Sequence, residues 1–148
     1  MARYFYESLK KYHQIAVISD IHGNFNLLQR LLKRHEVESS DLIIFNGDYI
    51  NRGRESLKCI RWLMEHQYDK NIRIIRGNMD RVASWYTYGK PIDIINHLSD
   101  HVFTLWENCM TELKQSETTL NNFEDLRSLY CKNYSDEISF LEKLPNVM

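Results

Sequence analysis

The stretch IAVISDIHGN, residues 15–24, runs from continuous apolar residues directly into a group of polar ones. Two later stretches repeat this order, LIIFNGDYINRG at residues 42–53 and IRIIRGNMD at residues 72–80. Short β-branched runs bounded by Gly, Asn and Asp are typical of strands. Continuous apolar runs are typical of strands that are covered on both faces. We therefore predict strands over residues 15–19, 42–46 and 72–75, the first two covered on both faces.

Amphipathic patterns separate the three predicted strands. Apolar residues recur at helical spacing after Asn24 and again after Gly53, which predicts helices over residues 24–36 and 54–66. The resulting order β-α-β-α-β predicts a parallel sheet of the α/β class with right-handed crossovers. Because ligands of such sheets bind outside the carboxyl ends of the strands, the three polar segments should meet at one edge.

The second half of the chain, residues 82–148, has a different pattern. A long apolar stripe predicts a helix over residues 96–114, and a weaker helical pattern covers residues 123–130. Ser135, followed by two acidic residues, predicts the N-cap of a last helix, which Pro145 ends. This half is expected to be helical throughout and to add no further strand.

Composition places the chain among ordinary soluble proteins. Its 148 residues, 43% hydrophobic and 26% charged, suit a single domain, residues 1–148. A formal net charge of −1 gives no basic face for nucleic acid, so none is expected as a partner. No apolar run approaches the roughly 20 residues that cross a bilayer, so no membrane association is expected. Three cysteines without metal-site spacing indicate thiols in a reducing compartment, and we expect a cytoplasmic location.

Four residues at the ends of the predicted strands are candidate metal ligands, namely Asp20, His22, Asp48 and Asn78. Carboxylate and amide oxygens with one imidazole suit Mn²⁺, Fe or Zn²⁺. On an extended segment, Asp20 and His22 would project to one side, with Ile21 on the other, so that one cation could take both. Asp48 could bridge to a second cation that also takes Asn78. Two cations about 3.5–4 Å apart would serve phosphoryl hydrolysis.

Two arginines accompany these candidate ligands. Arg52 and Arg76 carry planar, permanently charged forks that match a phosphate group. Asp-x-His alone is a weak signal, but Gly-Asp-x-x-Asn-Arg-Gly and Gly-Asn-x-Asp in this order after β runs form a specific set. The competing interpretation is that the Asp and Asn residues only cap the helices that follow them. That interpretation does not account for the histidine and the two arginines.

The three motifs resemble those of the calcineurin-like metallophosphoesterases, most closely the N-terminal half of the serine/threonine protein phosphatase branch. The resemblance is clear over residues 15–81 and extends weakly to residues 140–145. It implies the parallel βαβαβ half of an α/β/β/α sandwich, followed by helices. It also implies metal-dependent hydrolysis of a phosphorylated protein or a small phosphoester, with Mn²⁺ as the expected metal.

The resemblance also implies a role for each matching residue. The first metal would take Asp20 and His22, Asp48 would bridge the two metals, and Asn78 would hold the second. The catalytic group, which includes the phosphate-binding arginines, would be Arg52, Arg76 and Asp80.

The chain departs from the family pattern at three points. Asn51 stands where the protein phosphatases have an Asp that orients the motif arginine; an amide can still accept from Arg52 but carries no charge. Met79 stands where they have the histidine that protonates the leaving group, and it cannot donate a proton. The two later histidines of the second metal have no counterpart, since His97 and His101 fit better as helix residues than as ligands.

Three functional interpretations remain open at this stage. In the first, the chain is the N-terminal portion of a phosphatase and is weak or inactive alone. A partner chain or a missing C-terminal half would complete its sheet. The second is a non-catalytic remnant or binding module that keeps the first half of the fold. The third is a nucleotide-binding α/β domain, but neither GxGxxG nor GxxxxGK[ST] is present.

Overall fold

One parallel sheet in the order β1-β2-β3 organises the chain. The computed structural model describes residues 8–84, 105, 108–109, 111–112 and 123–146. The strands are β1 (Ile15–Ile18), β2 (Leu42–Asn46) and β3 (Ile72–Ile75). Ile15 lies opposite Leu42, and Ile43 lies opposite Ile72. The three predicted strands and their parallel βαβ connections are confirmed. β1 ends one residue early because Asp20 turns the chain with a φ of 54°.

Helices connect and follow the strands. They are α1 (Phe25–Leu32), α2 (His35–Glu38), α3 (Ser56–His66), α4 (Phe123–Asn133) and α5 (Ser135–Lys143), with 3₁₀ turns at Leu9–Lys11 and Met79–Ser84. No helix among these described residues is both long and apolar enough to cross a membrane.

The single helix predicted over residues 24–36 is in fact two helices. Arg34 is extended, with φ −74° and ψ 137°, and its carbonyl accepts the first hydrogen bonds of α2. The Gln14 amide Nε2 donates to the carbonyl of Glu36 at 2.6 Å, which ties α2 to the start of β1. This long-range bond anchors α2 separately from α1, and periodicity along one helix does not reveal it.

The second half is helical at most of its described residues, but the chain leaves the last helix after Lys143, and Asn146 forms an isolated parallel β-bridge with Arg76. Residues 105, 108–109 and 111–112 are helical, while the rest of the predicted 96–114 helix, including His97 and His101, lies outside the described residues. Ser135 is the first residue of α5 and not its N-cap, a position held by Tyr134. The buried Tyr134 donates its hydroxyl to the Cys109 carbonyl at 3.0 Å and so fixes the α4–α5 bend one residue earlier.

The core lies on one face of the sheet. Paired residues of the three strands, Ala16, Ile18, Ile43, Phe45, Ile72 and Ile74, pack there with α1 and α3. On the other face Val17 is 62% exposed, and an open groove of about 1060 Å³ lies beside Ile44 and α5. β2 is buried on both faces, since its successive residues Leu42 and Ile43 are 0% and 7% exposed, so the expectation of coverage on both faces is confirmed for β2 and wrong for β1.

A carboxylate fixes the start of β1 to the start of β2. Asp41 Oδ2 accepts the backbone N–H of His13 at 2.7 Å and of Gln14 at 3.1 Å. These bonds hold the pKa of Asp41 below its ordinary value of 3.8. The charged form is thus favoured in the folded chain, and its contribution to stability is present above the unfolded pKa and lost as pH falls through the lowered folded pKa.

We expect Asp41→Asn to lower the melting temperature near neutral pH, because the amide accepts these bonds more weakly than the carboxylate. The difference from the unmodified chain should shrink as pH falls below about 3.8, the ordinary pKa of this group. Thermal unfolding followed by circular dichroism at several pH values measures both effects. A melting-temperature difference that stays constant down to the acid limit would contradict the assignment.

Candidate metal centre

The segments that follow β1 and β2 continue the pairing of these strands. The backbone N–H groups of Asp20 and His22 donate to the carbonyls of Gly47 at 3.2 Å and Asp48 at 2.9 Å. The next N–H, that of Gly23, donates to the Tyr49 carbonyl at 2.8 Å. This ladder of turns brings the two predicted ligand segments together at the carboxyl ends of the strands.

Asp20, His22 and Asp48 form one group. A ligand atom from each side chain lies within 4.8 Å of the others. His22 is buried, and its Nδ1 lies 3.2 Å from the Ile50 carbonyl, so the Nδ1–H donates there and Nε2 is left to face a ligand. His22 Nε2 lies 3.7 Å from Asp20 Oδ1. Two carboxylates and an oriented imidazole at this spacing fit a divalent cation.

The backbone around this group is strained. Five non-glycine residues adopt positive φ values between 45° and 68°, namely Asp20, His22, Asp48, Asn51 and Arg52. Left-handed backbone is unfavourable for residues other than glycine, and it clusters at functional sites. The expectation that Asp20 and His22 lie on an extended segment is therefore wrong. Turns bring the two side chains together, and Ile21 between them is buried in the core.

Two glycines allow the turns to approach one another. A Cβ at Gly77 would collide with the backbone nitrogen and the carboxylate of Asp48. A Cβ at Gly53 would collide with the His22 carbonyl and with Gly23. Neither collision can be relieved at low energetic cost, because the atoms in the way include backbone atoms of the segments that carry Asp48 and His22. These glycines of the Gly-Asn-x-Asp and Asn-Arg-Gly motifs thus serve close packing of the site.

Asn78 lies in the turn after β3, beside Asp48. The residue before it, Gly77, packs against Asp48, and the residue after it, Met79, donates its backbone N–H to Asp48 Oδ1 at 2.9 Å. The Asn78 side chain is exposed. The structure thus brings the third predicted segment to the other two, and the role of Asn78 as a second-metal ligand stays a prediction.

Helix capping does not explain the ligand positions. Neither Asn24, the N-cap of α1, nor Glu55, the N-cap of α3, caps its own helix with its side chain. The Asn24 amide instead donates to the carbonyls of Ile21 and His22 at 2.9 and 3.1 Å. The competing interpretation of Asp20 and Asp48 as caps of these two helices is therefore excluded.

Asp80 is buried, at 1% exposed, between the turns. Its carboxylate accepts backbone N–H groups from Asp48 at 3.0 Å, Tyr49 at 2.9 Å and Gly77 at 2.7 Å. Burial raises the pKa of Asp80 above its ordinary value, and the three N–H groups oppose that rise. The catalytic role expected from the sequence stays a prediction, since the contacts of this carboxylate are with backbone.

Tyr49 is a functional-site residue that sequence reasoning missed. It is fully buried, and its hydroxyl accepts the Gly47 N–H at 2.9 Å and donates to the neighbouring carbonyl of Phe45 or Ile75. Burial raises the pKa of Tyr49, so the hydroxyl stays protonated. The Tyr49 hydroxyl thus joins the end of β2 to the end of β3, on the residue next to Asp48 in sequence. An aromatic residue inside a polar motif is the one sequence signal of this role.

The two arginines differ in their surroundings. Arg52 is exposed and lies in a left-handed turn beside the His22 segment. The guanidinium of Arg76 donates to Asn146 Oδ1 from Nε at 2.9 Å and Nη2 at 2.7 Å, and to the Glu142 carbonyl from Nη1 at 2.9 Å. Its backbone N–H donates to the Pro145 carbonyl at 2.8 Å. Phosphate binding by Arg76 stays a prediction and requires these partners to be exchanged.

Asn51 forms hydrogen bonds with Leu105 and Ser56. Its Oδ1 accepts the Leu105 backbone N–H at 3.2 Å, and its own N–H donates to Ser56 Oγ at 3.0 Å. The buried Asn51 Nδ2 has no hydrogen-bond partner among the described residues. The Asn51 side chain thus holds the backbone of Leu105.

The chain is similar to several known proteins. The family described as calcineurin-like phosphoesterase matches residues 13–145. The chain is 31% identical over 77 residues to serine/threonine-protein phosphatase PP1-delta of Caenorhabditis elegans, a match that covers 51% of this chain and 25% of that protein. It is 31% identical over 94 residues to serine/threonine-protein phosphatase BSL2 of Arabidopsis thaliana, covering 58% of this chain and 9% of that protein.

A solved structure shares the fold. A metallophosphoesterase from Sphaerobacter thermophilus superimposes with a TM-score of 0.51 at 20% identity, covering 93% of this chain and 43% of that one. The chain thus matches a quarter or less of the length of the two curated relatives and under half of the solved structure.

Proposed function

The chain belongs to the calcineurin-like phosphoesterase family, and on that basis we propose that it forms the metal-binding part of a phosphoesterase of the serine/threonine protein phosphatase type. The observation that carries the proposal is the group of Asp20, His22 and Asp48, with ligand atoms within 4.8 Å. The names of the two curated relatives support a phosphorylated protein as substrate, with small phosphoesters as the other class.

The donor set suits two divalent cations of unequal affinity. Asp20, His22 and Asp48 would hold the first, and Asp48 with Asn78 would hold the second. Mn²⁺ is the proposed ion, with Fe and Zn²⁺ compatible with the same oxygen and imidazole donors. When bound, such cations polarise a phosphoryl oxygen and make water nucleophilic at neutral pH.

The remaining residues would bind and orient the phosphate. Arg52 is exposed beside the ligand group, and its permanent charge would neutralise non-bridging phosphate oxygens as negative charge shifts during reaction. Arg76 would add a second fork on release from Asn146 and Glu142. Met79 offers no proton to a leaving group, and general acid catalysis typically contributes about 10²–10⁴-fold.

This lack of an acid at residue 79 favours a second candidate function. In that alternative, the chain is a non-catalytic binding module or remnant that keeps the metal-binding half of the fold. Both candidates predict metal binding, and they differ in whether hydrolysis follows. Because residues 1–148 alone are expected to turn over near the background rate in either case, the observation that separates the candidates is turnover by a chain extended through two further histidine motifs.

The proposal is tested by metal titration and by turnover. We expect calorimetry with Mn²⁺ to show one tight site per chain, since the second cation would have two ligands. Residues 1–148 alone should hydrolyse p-nitrophenyl phosphate near the background rate. Two tight and independent Mn²⁺ sites would contradict the ligand assignment. Turnover by residues 1–148 that disappears in His22→Ala would show that residues 1–148 suffice for catalysis.

A further prediction concerns Arg76. Asn146→Ala removes the acceptor of two guanidinium bonds, and we expect the freed fork to raise the affinity for inorganic phosphate in the presence of Mn²⁺ by up to roughly tenfold, since one hydrogen bond is worth about 0.5–1.5 kcal/mol. Calorimetry with phosphate measures the change. The double variant Asn146→Ala with Arg76→Gln serves as the control and should gain nothing. Equal phosphate affinity with and without Asn146 would assign Arg76 to packing alone.

Location and partners complete the proposal. We propose a cytoplasmic location, which is supported by three cysteines, Cys59, Cys109 and Cys131, that are all free thiols. Burial raises the pKa of Cys59 to about 12, in keeping with an inert thiol. We propose neither nucleic acid nor membrane as a partner. A partner chain or a C-terminal half that completes the sheet is supported by the parallel bridge of Asn146 with Arg76 beside β3.

A further inference from the structure

The carboxylate of Asp80 joins the turn after β2 to the turn after β3. Its Oδ2 accepts N–H groups from both turns, Asp48 in one and Gly77 in the other, while its Oδ1 accepts from Tyr49. Both oxygens are thus held by backbone groups, in a position that is 1% exposed. We infer that Asp80 is a positioning residue, which sets the place of the Asp48 carboxylate in the metal centre by holding the Asp48 backbone.

The bonds between the two turns are reciprocal. Asp80 Oδ2 accepts the backbone N–H of Asp48, and Asp48 Oδ1 accepts the backbone N–H of Met79, at 2.9 Å. Asp48 is therefore held at its backbone and at its side chain by neighbouring residues of one turn. Its φ of 57° is unfavourable, so external bonds are needed to keep the carboxylate in place.

A carboxylate is the side chain that suits this position. Three N–H donors converge on it, and an ionised carboxylate offers only acceptors. An Asn side chain of the same shape would direct its NH₂ group at one or two of these donors. Asp80→Asn therefore removes part of the connection between the turns and adds almost no bulk. This makes it a selective test of positioning.

The inference rests on the proposed function, because it concerns the same metal centre. Calorimetry with Mn²⁺ should be carried out on the unmodified chain, on Asp80→Asn and on Asp69→Asn, an exposed Asp outside the metal centre. We expect Asp80→Asn to weaken Mn²⁺ binding by roughly 10–100-fold, the range found for residues that orient metal ligands, and Asp69→Asn to leave it unchanged. Asp80→Glu, which keeps the acceptors, should restore part of the affinity. Equal Mn²⁺ affinity in Asp80→Asn and the unmodified chain would overturn the inference.

A second measurement does not depend on the metal. In the ion-free chain, the amide hydrogens of Asp48, Tyr49 and Gly77 should exchange roughly tenfold faster in Asp80→Asn than in Asp69→Asn, as expected for loss of one hydrogen bond. Unchanged exchange at all three amides would overturn the inference. If the unmodified chain binds no Mn²⁺, the proposed function fails, and the exchange rates alone decide the role of Asp80. Unfolding of both Asp80→Asn and Asp80→Glu would also overturn the inference, because Asp80 would then be required for folding of the whole chain.

Discussion

Asp48→Asn is expected to lower the Mn²⁺ affinity of the chain by more than about 100-fold. Substitutions that only reorient a ligand cost roughly 10–100-fold, and this one replaces a proposed ligand within the group itself. The neutral amide also removes one of two negative charges that would face the cation. Asn at residue 48 keeps an oxygen for the Met79 N–H, so the fold should survive.

The measurement is Mn²⁺ titration calorimetry with circular dichroism as a check of folding. Asp41→Asn is a matched control, since it makes the same chemical change at the far end of β2. Mn²⁺ binding that persists in Asp48→Asn at the affinity of the control would place the cation elsewhere and remove the main support for the proposed function.

Gly77→Ala is expected to have the largest effect on stability. The added Cβ would collide with the backbone nitrogen and carboxylate of Asp48. The turn that carries Asp48 is also held in place, because Asp80 accepts the backbone N–H of Asp48. Overpacking typically costs about 1–3 kcal/mol, and collision with fixed backbone belongs at the upper end. At about 2–4 °C per kcal/mol, the melting temperature should fall by about 6–12 °C.

Thermal unfolding of Gly77→Ala and of an exposed control, Gln29→Ala on α1, measures this difference. Metal binding should be lost together with stability, because the collision displaces the proposed ligand Asp48 itself. A melting temperature within about 2 °C of the control would show that the two turns can separate without cost, and that their close contact is not required.

The sheet could be predicted from sequence because its signals are local. Apolar runs such as Ile15–Ile18 and the polar residues that follow them indicate strands and their carboxyl ends without any knowledge of contacts. The grouping of Asp20, His22 and Asp48 followed from parallel topology alone, because parallel strands bring their carboxyl ends to one edge.

The supports of the site could not be predicted in the same way. Tyr49 and Asp80 act through hydrogen bonds to segments about 30 residues away, and periodicity along the chain carries no trace of them. The left-handed backbone of Asp20 is similarly imposed by pairing with the turn after β2. Arg76 and Asn146 are 70 residues apart in sequence, so the motif that suggested phosphate binding by Arg76 did not indicate this hydrogen bond.

The left-handed turns connect the metal to the lifetime of the protein in the cell. Their unfavourable φ values raise the free energy of the ion-free folded chain, and a cation that binds only the folded form lowers it. A ligand present at about 100 times its dissociation constant adds about 2.7 kcal/mol of stability. Changes of about 1–2 kcal/mol alter protein abundance several-fold, because proteases remove the unfolded fraction. Under the proposed function, the amount of this protein in a cell should therefore follow the supply of the divalent metal.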